Sequence, residues 1–550
     1  MGAEERAAAL SPVETGGSAQ LARRAGVVSA AVFASRILGL VREQVFAVFF
    51  GAGRELDAFI TAFRIPNLLR DLFAEGALSA AFVTTFTWRL EHEGEAAAWR
   101  LANLVVNALA MVVGALTLAG IWLAPALVTA IAPGFAAIPG KAELTVELTR
   151  IMFPFLLLVA LAAVAMGVLN TRHVFGVPAA ASAFFNLGSI VGGLGCAAWL
   201  APGYLAGILG RGPAPDPGLA TRAMTGMAIG TLAGGLLQLL AQVPSLWRVG
   251  FRYRPLVALR DPGLRQVMRL MGPATIGAAA VQVNVFVNNN FASYLGNGPV
   301  SWLNVAFRFM QLPIGVFGVA IGTVTLPLVS RHGARGDTRA FRTTVGQALE
   351  LVALLCLPAA AGLALMGVPV IGLIYEHGRF APPDTDAAAR ALAGYALGLA
   401  GYAGIKVLAP AFYALDDART PMRVSVLSMV TNYVLNWLFV RRLGFGHVGL
   451  ALATSAVALG NFGILLVVLR RRVGGFGRAA AIGRIALATA VMAAVAWGVD
   501  TGLAGALPAA RTLQHGLRLA AVIPVAVAVF WGACRALGVA VPGRRRLRGA

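Results

Sequence analysis

The chain has 550 residues, of which 58% are hydrophobic and 12% charged, and its formal net charge is +22. No soluble core needs that much apolar surface, so composition places the chain in the membrane class. Nucleic-acid binding would require a basic soluble domain for which no stretch has room, and the cations instead read as topology and attraction to anionic lipid headgroups.

In chain order, residues 1–24, rich in Ala, Gly, Ser and Glu, read as a disordered cytoplasmic tail with no small-residue cleavage signal. Runs of about 20 apolar residues bounded by charge, Pro or Gly then define fourteen candidate transmembrane segments. They begin near Gly26, Glu55, Arg100, Leu144, Gly176, Ala223, Gln266, Pro299, Phe341, Ala387, Pro421, His447, Ala479 and Gln514.

The first two segments carry the informative residues. Arg36 and Arg42 lie inside the apolar run between about residues 26 and 51, and Arg64 and Arg70 lie in the next segment. Each arginine at mid-membrane costs roughly 2.5 to 3.5 kcal/mol, so several together imply a water-filled, protein-lined cavity that takes an anion. Pro66, Asn67, Gly76 and the polar run Arg70, Asp71 and Glu75 could not sit unwound against lipid. They predict a broken helix lining that cavity, with a counterpart around Arg308 and Pro313.

The bland alternative is a structural ion-pair network. Arg36 and Glu43 are seven residues apart, as are Asp57 and Arg64, so each pair shares a helical face. Arg36 and Arg42 are about 120° apart on an ideal helix. Arg54 and Arg89 are expected to snorkel at helix ends. Lys406, alone in an apolar segment, is open to either function or a buried pair.

The chain also repeats. Residues 57–64 (DAFITAFR) lie over residues 301–308 (SWLNVAFR), sharing the Ala-Phe-Arg end. Two further matches keep chain order: the polar turns ending at Pro178 and Pro421, and Trp247–Phe251 with residues 471–476. The offset of roughly 220 to 245 residues fits duplication of a six-helix unit. The expected fold is an all-α polytopic membrane protein of about 14 transmembrane helices. Two six-helix lobes stand in a parallel pseudo-twofold arrangement, followed by two C-terminal helices. In residue terms these are the N-lobe at 25–250, the C-lobe at 251–475, segments 13 and 14 at 476–540 and a basic cytoplasmic tail at 541–550. Two such lobes suggest alternating access to a site near the midplane.

Arginines concentrate in the loops after the sixth, eighth and twelfth segments and at the C-terminus, which puts both termini in the cytoplasm. Arg441 and Arg442, on the opposite side, are the exception. Cys196, Cys356 and Cys534 lie far apart and the six histidines show no ligand-like spacing, so neither a metal site nor any cofactor is expected. Gly192, Gly193 and Gly195 sit in an apolar helix, where close packing explains them.

Several words of the sequence resemble one family. Residues 34–39 (ASRILG), Arg42, residues 50–53 (FGAG), Asp57-Ala58-Phe59, residues 66–70 (PNLLR) and residues 73–77 (FAEGA) closely resemble the MurJ (MviN) family of bacterial lipid II flippases. The likeness continues through residues 132–135, 169–171, 271–274, 291–293, 300–302, 318–320 and 406–410. It implies a member of the multidrug/oligosaccharidyl-lipid/polysaccharide exporter superfamily. Such a protein would move lipid II from the cytoplasmic to the periplasmic leaflet of the inner membrane. Lipid II is the undecaprenyl-diphosphate-MurNAc-pentapeptide-GlcNAc precursor of peptidoglycan. By the family pattern, Arg36, Arg42, Asp57, Arg70 and Arg308 match essential charged positions of the central cavity. Arg64 and Glu75 join the substrate-binding set on the residue reading. Asp57 is expected to orient an arginine or to gate the cleft.

The resemblance also implies a hydrophobic groove for the polyprenyl tail at the last two helices, and leaves proteins of the cell-wall machinery open as partners. Some relatives use a sodium site in the second lobe built partly from carboxylates. The plausible positions here are the amides Asn288, Asn289, Asn290, Asn432 and Asn436, which weakens the case for sodium coupling. Two rival functions fit less well. A multidrug antiporter exports mostly cations, for which an arginine-lined lobe has the wrong sign. A polyprenyl glycosyltransferase needs acidic metal ligands, and the Asp416-Asp417 pair, just before Arg419 and Pro421, fits helix capping better.

Overall fold

The computed structural model describes residues 15–73, 77–213, 215–506 and 511–539. Among these, regular structure is helical throughout. The first half contains α1 (Thr15–Phe50), α2 (Arg54–Phe73), α3 (Ala77–His92), α4 (Glu95–Ile131), α5 (Lys141–Met152), α6 (Phe155–Thr171), α7 (Gly176–Leu200), α8 (Tyr204–Ile208), α9 (Pro217–Leu240) and α10 (Val243–Arg248). The second contains α11 (Pro262–Ser293), α12 (Pro299–Pro313), α13 (Val319–Ala334), α14 (Thr338–Leu365), α15 (Gly367–Tyr375), α16 (Pro382–Ala396), α17 (Leu399–Tyr413), α18 (Arg419–Asn436), α19 (Gly446–Val473), α20 (Ala479–Ala506) and α21 (Arg511–Ala536).

Local chemistry sets many of these boundaries. Pro217, Pro262, Pro299 and Pro382 open their helices, where the missing N–H costs nothing. Asp216, Asp261 and Asp337 accept hydrogen bonds from backbone N–H groups of the first turns of α9, α11 and α14.

Among the described residues, nine helical spans are long and apolar enough to cross a membrane, and α16 with α17, bent by 40°, makes a tenth. The remaining four segments expected from sequence fall on α1, on α2 with α3, on α11 and on α18. Those four carry Arg36 and Arg42, Arg64 and Arg70, Asn288 to Asn290, and Asn432 with Asn436. The outward faces of the apolar spans bear large exposed hydrophobics, such as Trp122 and Trp199 at 78% and Leu118 at 71%. In water that would be an aggregation liability; against acyl chains it is the low-energy surface.

Packing divides the chain into two compact units. The first comprises Met1–Phe46, Ala62–Leu127 and Leu144–Ala278. Its core joins Phe82 and Phe86 of α3, Leu101 and Val105 of α4, and Leu156, Val164 and Leu169 of α6, all essentially buried. Helices α7 and α9 meet through glycine: a Cβ on Gly230 would lie 2.1 Å from the backbone N of Gly193. The glycine run of α7 thus serves close helix packing, as expected.

The second unit comprises Ala47–Thr61, Val128–Glu143 and Ala279–Ala550. Here α14, α20 and α21 pack through Leu354, Ile485, Ala488, Met492 and Phe530. Two π-helical stretches interrupt it, at Ile314–Gly318 directly after Pro313 and at Trp437–Arg442. Broken helices were expected at both Pro66 and Pro313, but α2 continues through Pro66 to Phe73, and the span Pro299–Ala334 stays helical past Pro313, changing only to π geometry over Ile314–Gly318. Residues 74–76, with Glu75 and Gly76, lie outside the described residues.

Candidate functional site

Helix α1 carries Arg36 and Arg42 within the first unit. Arg36 is exposed and makes no ion pair or hydrogen bond among the described residues, so the anticipated pairing with Glu43 is not formed. Arg42 is half-buried, its guanidinium 5.1 Å from the centre of the Phe185 ring. On α2, Arg64 and Arg70 are half-buried, and Arg70 donates to Asp71 at 2.9 Å. Arg308 is half-buried on α12, in the second unit.

Asp57 has a different environment. It is fully buried, and both carboxylate oxygens are occupied. Oδ2 accepts from Lys141 Nζ at 2.9 Å and from the Gly298 N–H at 2.7 Å. Oδ1 accepts from the Ser301 N–H at 2.9 Å and its hydroxyl at 2.7 Å. Lys141, also fully buried, donates further to the carbonyl of Gly296 and to Asn297 Oδ1, each at 3.0 Å, and sits 4.2 Å from the Phe135 ring centre.

The starts of α2, α5 and α12 therefore converge on one carboxylate. The geometry follows from local sequence: Gly298 takes φ +106°, a left-handed conformation available to glycine, which turns its N–H and that of Ser301 toward Asp57. A carboxylate against free N–H groups at a helix start is favoured by the helix dipole as well. A neighbouring contact joins the turn before α5 to the end of α11, with the Gly134 N–H donating to Ser293 Oγ at 3.0 Å.

Asp57 was expected from sequence, although the Asp57–Arg64 pair is not formed. Lys141 was missed. A lysine at the start of an apolar helix ordinarily snorkels to water, and only its place after the Pro133–Gly140 turn set it apart. Arg89, expected to snorkel, is instead buried, paired with Asp261 at 3.1 Å and Glu93 at 3.4 Å. Lys406 is exposed on α17 and makes no ion pair among the described residues. Asp417 caps the start of α18, accepting from the Thr420 N–H at 2.9 Å and its hydroxyl at 2.6 Å.

Of the five amides, Asn288, Asn432 and Asn436 form a cluster in the second unit, whereas Asn289 and Asn290 donate to the carbonyls of Ile131 and Ala130 at 3.3 and 3.0 Å. Asn436 Nδ2 donates to Asn288 Oδ1 at 2.7 Å and to Asn432 Oδ1 at 3.1 Å, and Asn288 Nδ2 donates to Thr454 at 3.2 Å. Within this cluster Asn436 Oδ1 is a buried oxygen without a partner. One free neutral oxygen is a poor start on a cation shell of about six oxygens, so these residues do not fit a resident cation.

An apolar cleft of about 260 Å³ lies between α14, α20 and α21, lined by residues such as Pro358, Met366, Met492, Ala496, Val522 and Trp531. About one turn beyond it, Arg518 pairs with Asp500. The lining is almost wholly apolar, with the Trp531 indole the one side chain among those residues that carries an N–H, which suits a hydrocarbon chain.

Comparison with known proteins is consistent along most of the chain. The family model described as lipid II flippase MurJ matches residues 46–507. The lipid II flippase MurJ of Burkholderia cenocepacia is 36% identical over 81% of this chain and 83% of its own. The probable lipid II flippase MurJ of Vibrio cholerae is 35% identical over 88% and 90%. A solved lipid II flippase MurJ in an inward closed conformation superposes with a TM-score of 0.72 at 25% identity, covering 93% of this chain and 99% of the other. An inward-facing multidrug MATE transporter, 16% identical, shares the fold with a TM-score of 0.63 over 81% of this chain and 96% of its own. The chain belongs to the MurJ family of lipid II flippases.

Proposed function

We propose that this protein is a bacterial inner-membrane transporter, not an enzyme, that moves lipid II from the cytoplasmic to the periplasmic leaflet by alternating access. The observation that carries the reading is the family match over residues 46–507, which includes Asp57, Arg64, Arg70 and Arg308. Both termini are cytoplasmic in this reading, on the arginine asymmetry of the loops.

Arg36, Arg42, Arg70 and Arg308 hold the diphosphate through forked guanidinium donors, and Arg64 supports them. The polyprenyl tail lies in the apolar cleft beside α20 and α21. Asp57 acts as a latch rather than a ligand: both its oxygens are taken up by four hydrogen bonds, one of which is the Lys141 ion pair. Because the bonds are formed with the starts of α5 and α12, they must break for those segments to part in the transport cycle. The amide cluster supports no sodium step, and the reading assigns none.

The test is replacement of the essential flippase in depleted cells, comparing wild type with Arg36→Ala at equal membrane abundance. Rescue by wild type alone is the expected result. Rescue by both would make Arg36 dispensable, and rescue by neither would overturn lipid II as the cargo.

A further inference from the structure

Between the end of α10 and the start of α11 the chain runs for thirteen residues without regular structure, yet its backbone is fixed. Asn103 of α4 donates to the carbonyl of Arg252 at 3.1 Å and accepts from the N–H of Arg254 at 2.6 Å. Asn107, one turn on, donates to the carbonyl of Arg254 at 2.9 Å and accepts from the Tyr253 hydroxyl at 2.7 Å. Phe251 is buried edge-on against Trp99. Two asparagines thus serve the segment as a neighbouring strand would, and apart from the buried Phe251 most of its side chains are exposed.

The outward side alternates two chemistries. Arg248, Arg254 and Arg260 are exposed and make no ion pair among the described residues. Beside them Trp247, Val257 and Leu259 are 58%, 63% and 59% exposed. No acid occurs between Asp216 and Asp261, and Asp261 is already bound to Arg89 and to the start of α11. The span Gly218–Arg248 ends where the segment begins, so it lies where the chain leaves the bilayer.

Charge asymmetry alone explains the arginines, but it explains neither the fixed backbone nor the apolar side chains between them. A soluble acidic partner would use the cations and leave Val257 and Leu259 in water. A bilayer surface satisfies both, with guanidinium groups at phosphate level and Trp, Val and Leu at the acyl boundary.

We propose that residues 247–260 form a pre-ordered strap that binds anionic phospholipid headgroups. This site is distinct from the cargo site and independent of the identity of the cargo.

The test uses the full chain in proteoliposomes containing brominated phosphatidylglycerol or brominated phosphatidylcholine at equal mole fraction. The Trp247 signal is isolated as the difference from Trp247→Phe. Quenching by the anionic lipid should exceed that by the neutral one roughly twofold, given accumulation of anionic lipid at a local excess of cations. The preference should vanish in R248Q/R254Q/R260Q. Arg252 is left in place because it caps α10 through the Trp247 carbonyl at 2.9 Å. It should also vanish in N103A/N107A, which keeps every arginine but frees the backbone. Equal quenching of wild type by the two lipids, or no Trp247-dependent quenching, would overturn the proposal. Preference that survives N103A/N107A would overturn it as well, since charge alone would then suffice.

Discussion

The starts of α2 and α12 occupy equivalent places in the internal repeat, which lays Asp57 over Ser301 and Arg64 over Arg308. They have diverged in a complementary way. One copy keeps a carboxylate; the other offers an N–H and a hydroxyl, and the two residues bond to each other at 2.9 and 2.7 Å. Their arginines have not diverged: Arg64 and Arg308 are both half-buried, each seven residues past the position that opens the comparison, Asp57 or Ser301. The two aligned stretches thus share a matched pair of cations, while Asp57 and Ser301 form the two halves of a lock. The lock's third part, Lys141, lies outside the repeat match.

The strongest way to break this asymmetry is Asp57→Ala. It would leave the buried ammonium of Lys141 with a carbonyl and an amide oxygen but no counter-charge. Removing one partner of a buried pair costs about 3–5 kcal/mol. Thermal unfolding of the purified protein should show a loss of that size, with failure to complement a flippase depletion. Lys141→Met should cost less, about 2 kcal/mol, because Asp57 keeps three donors from Gly298 and Ser301. If Lys141→Met cost as much as Asp57→Ala, the ion pair rather than the helix-start donors would dominate the lock. Ser301→Ala removes only the hydroxyl donor, and a loss of about 1 kcal/mol is expected. A neutral Ser301→Ala would show that the backbone N–H groups suffice.

The same comparison shows what could be read from the chain alone. Asp57 was legible because a carboxylate near the start of an apolar segment is conspicuous. Its partners were not legible. Two are backbone N–H groups presented by a left-handed glycine, and the ion-pair partner is 84 residues away. Arg89 was misjudged for a like reason, since Asp261 is 172 residues distant and nothing local marks the pair. Arg441 and Arg442, which break the charge asymmetry of the loops, rest over aromatic rings: Arg441 lies 4.3 Å from the ring centre of Tyr294 and Arg442 5.1 Å from that of Trp437. Cation–π contact depends on three-dimensional placement, whereas hydropathy, which located the helices, is carried by contiguous residues.

The smallest expected effect concerns a carboxylate in the opposite setting, the accessible turn before α18. Hydrogen bonds from the Thr420 hydroxyl and N–H, with Arg472 at 2.6 Å, hold the Asp417 carboxyl below its ordinary titration range. A depressed folded pKa means that the charged form favours the folded state. Its contribution is complete above the unfolded-state pKa and is lost as pH falls through the folded one. Asp417→Asn should therefore lower the melting temperature slightly and by a constant amount from about pH 5 to 8, and the difference from wild type should close under acid below about pH 4. High salt should shrink the part due to Arg472, which is about half exposed, and leave the part due to Thr420. A difference that stayed constant down to pH 3 would mean that the cap works through neutral hydrogen bonding alone. That outcome would separate it in kind from Asp57, which faces the buried ammonium of Lys141 at 2.9 Å.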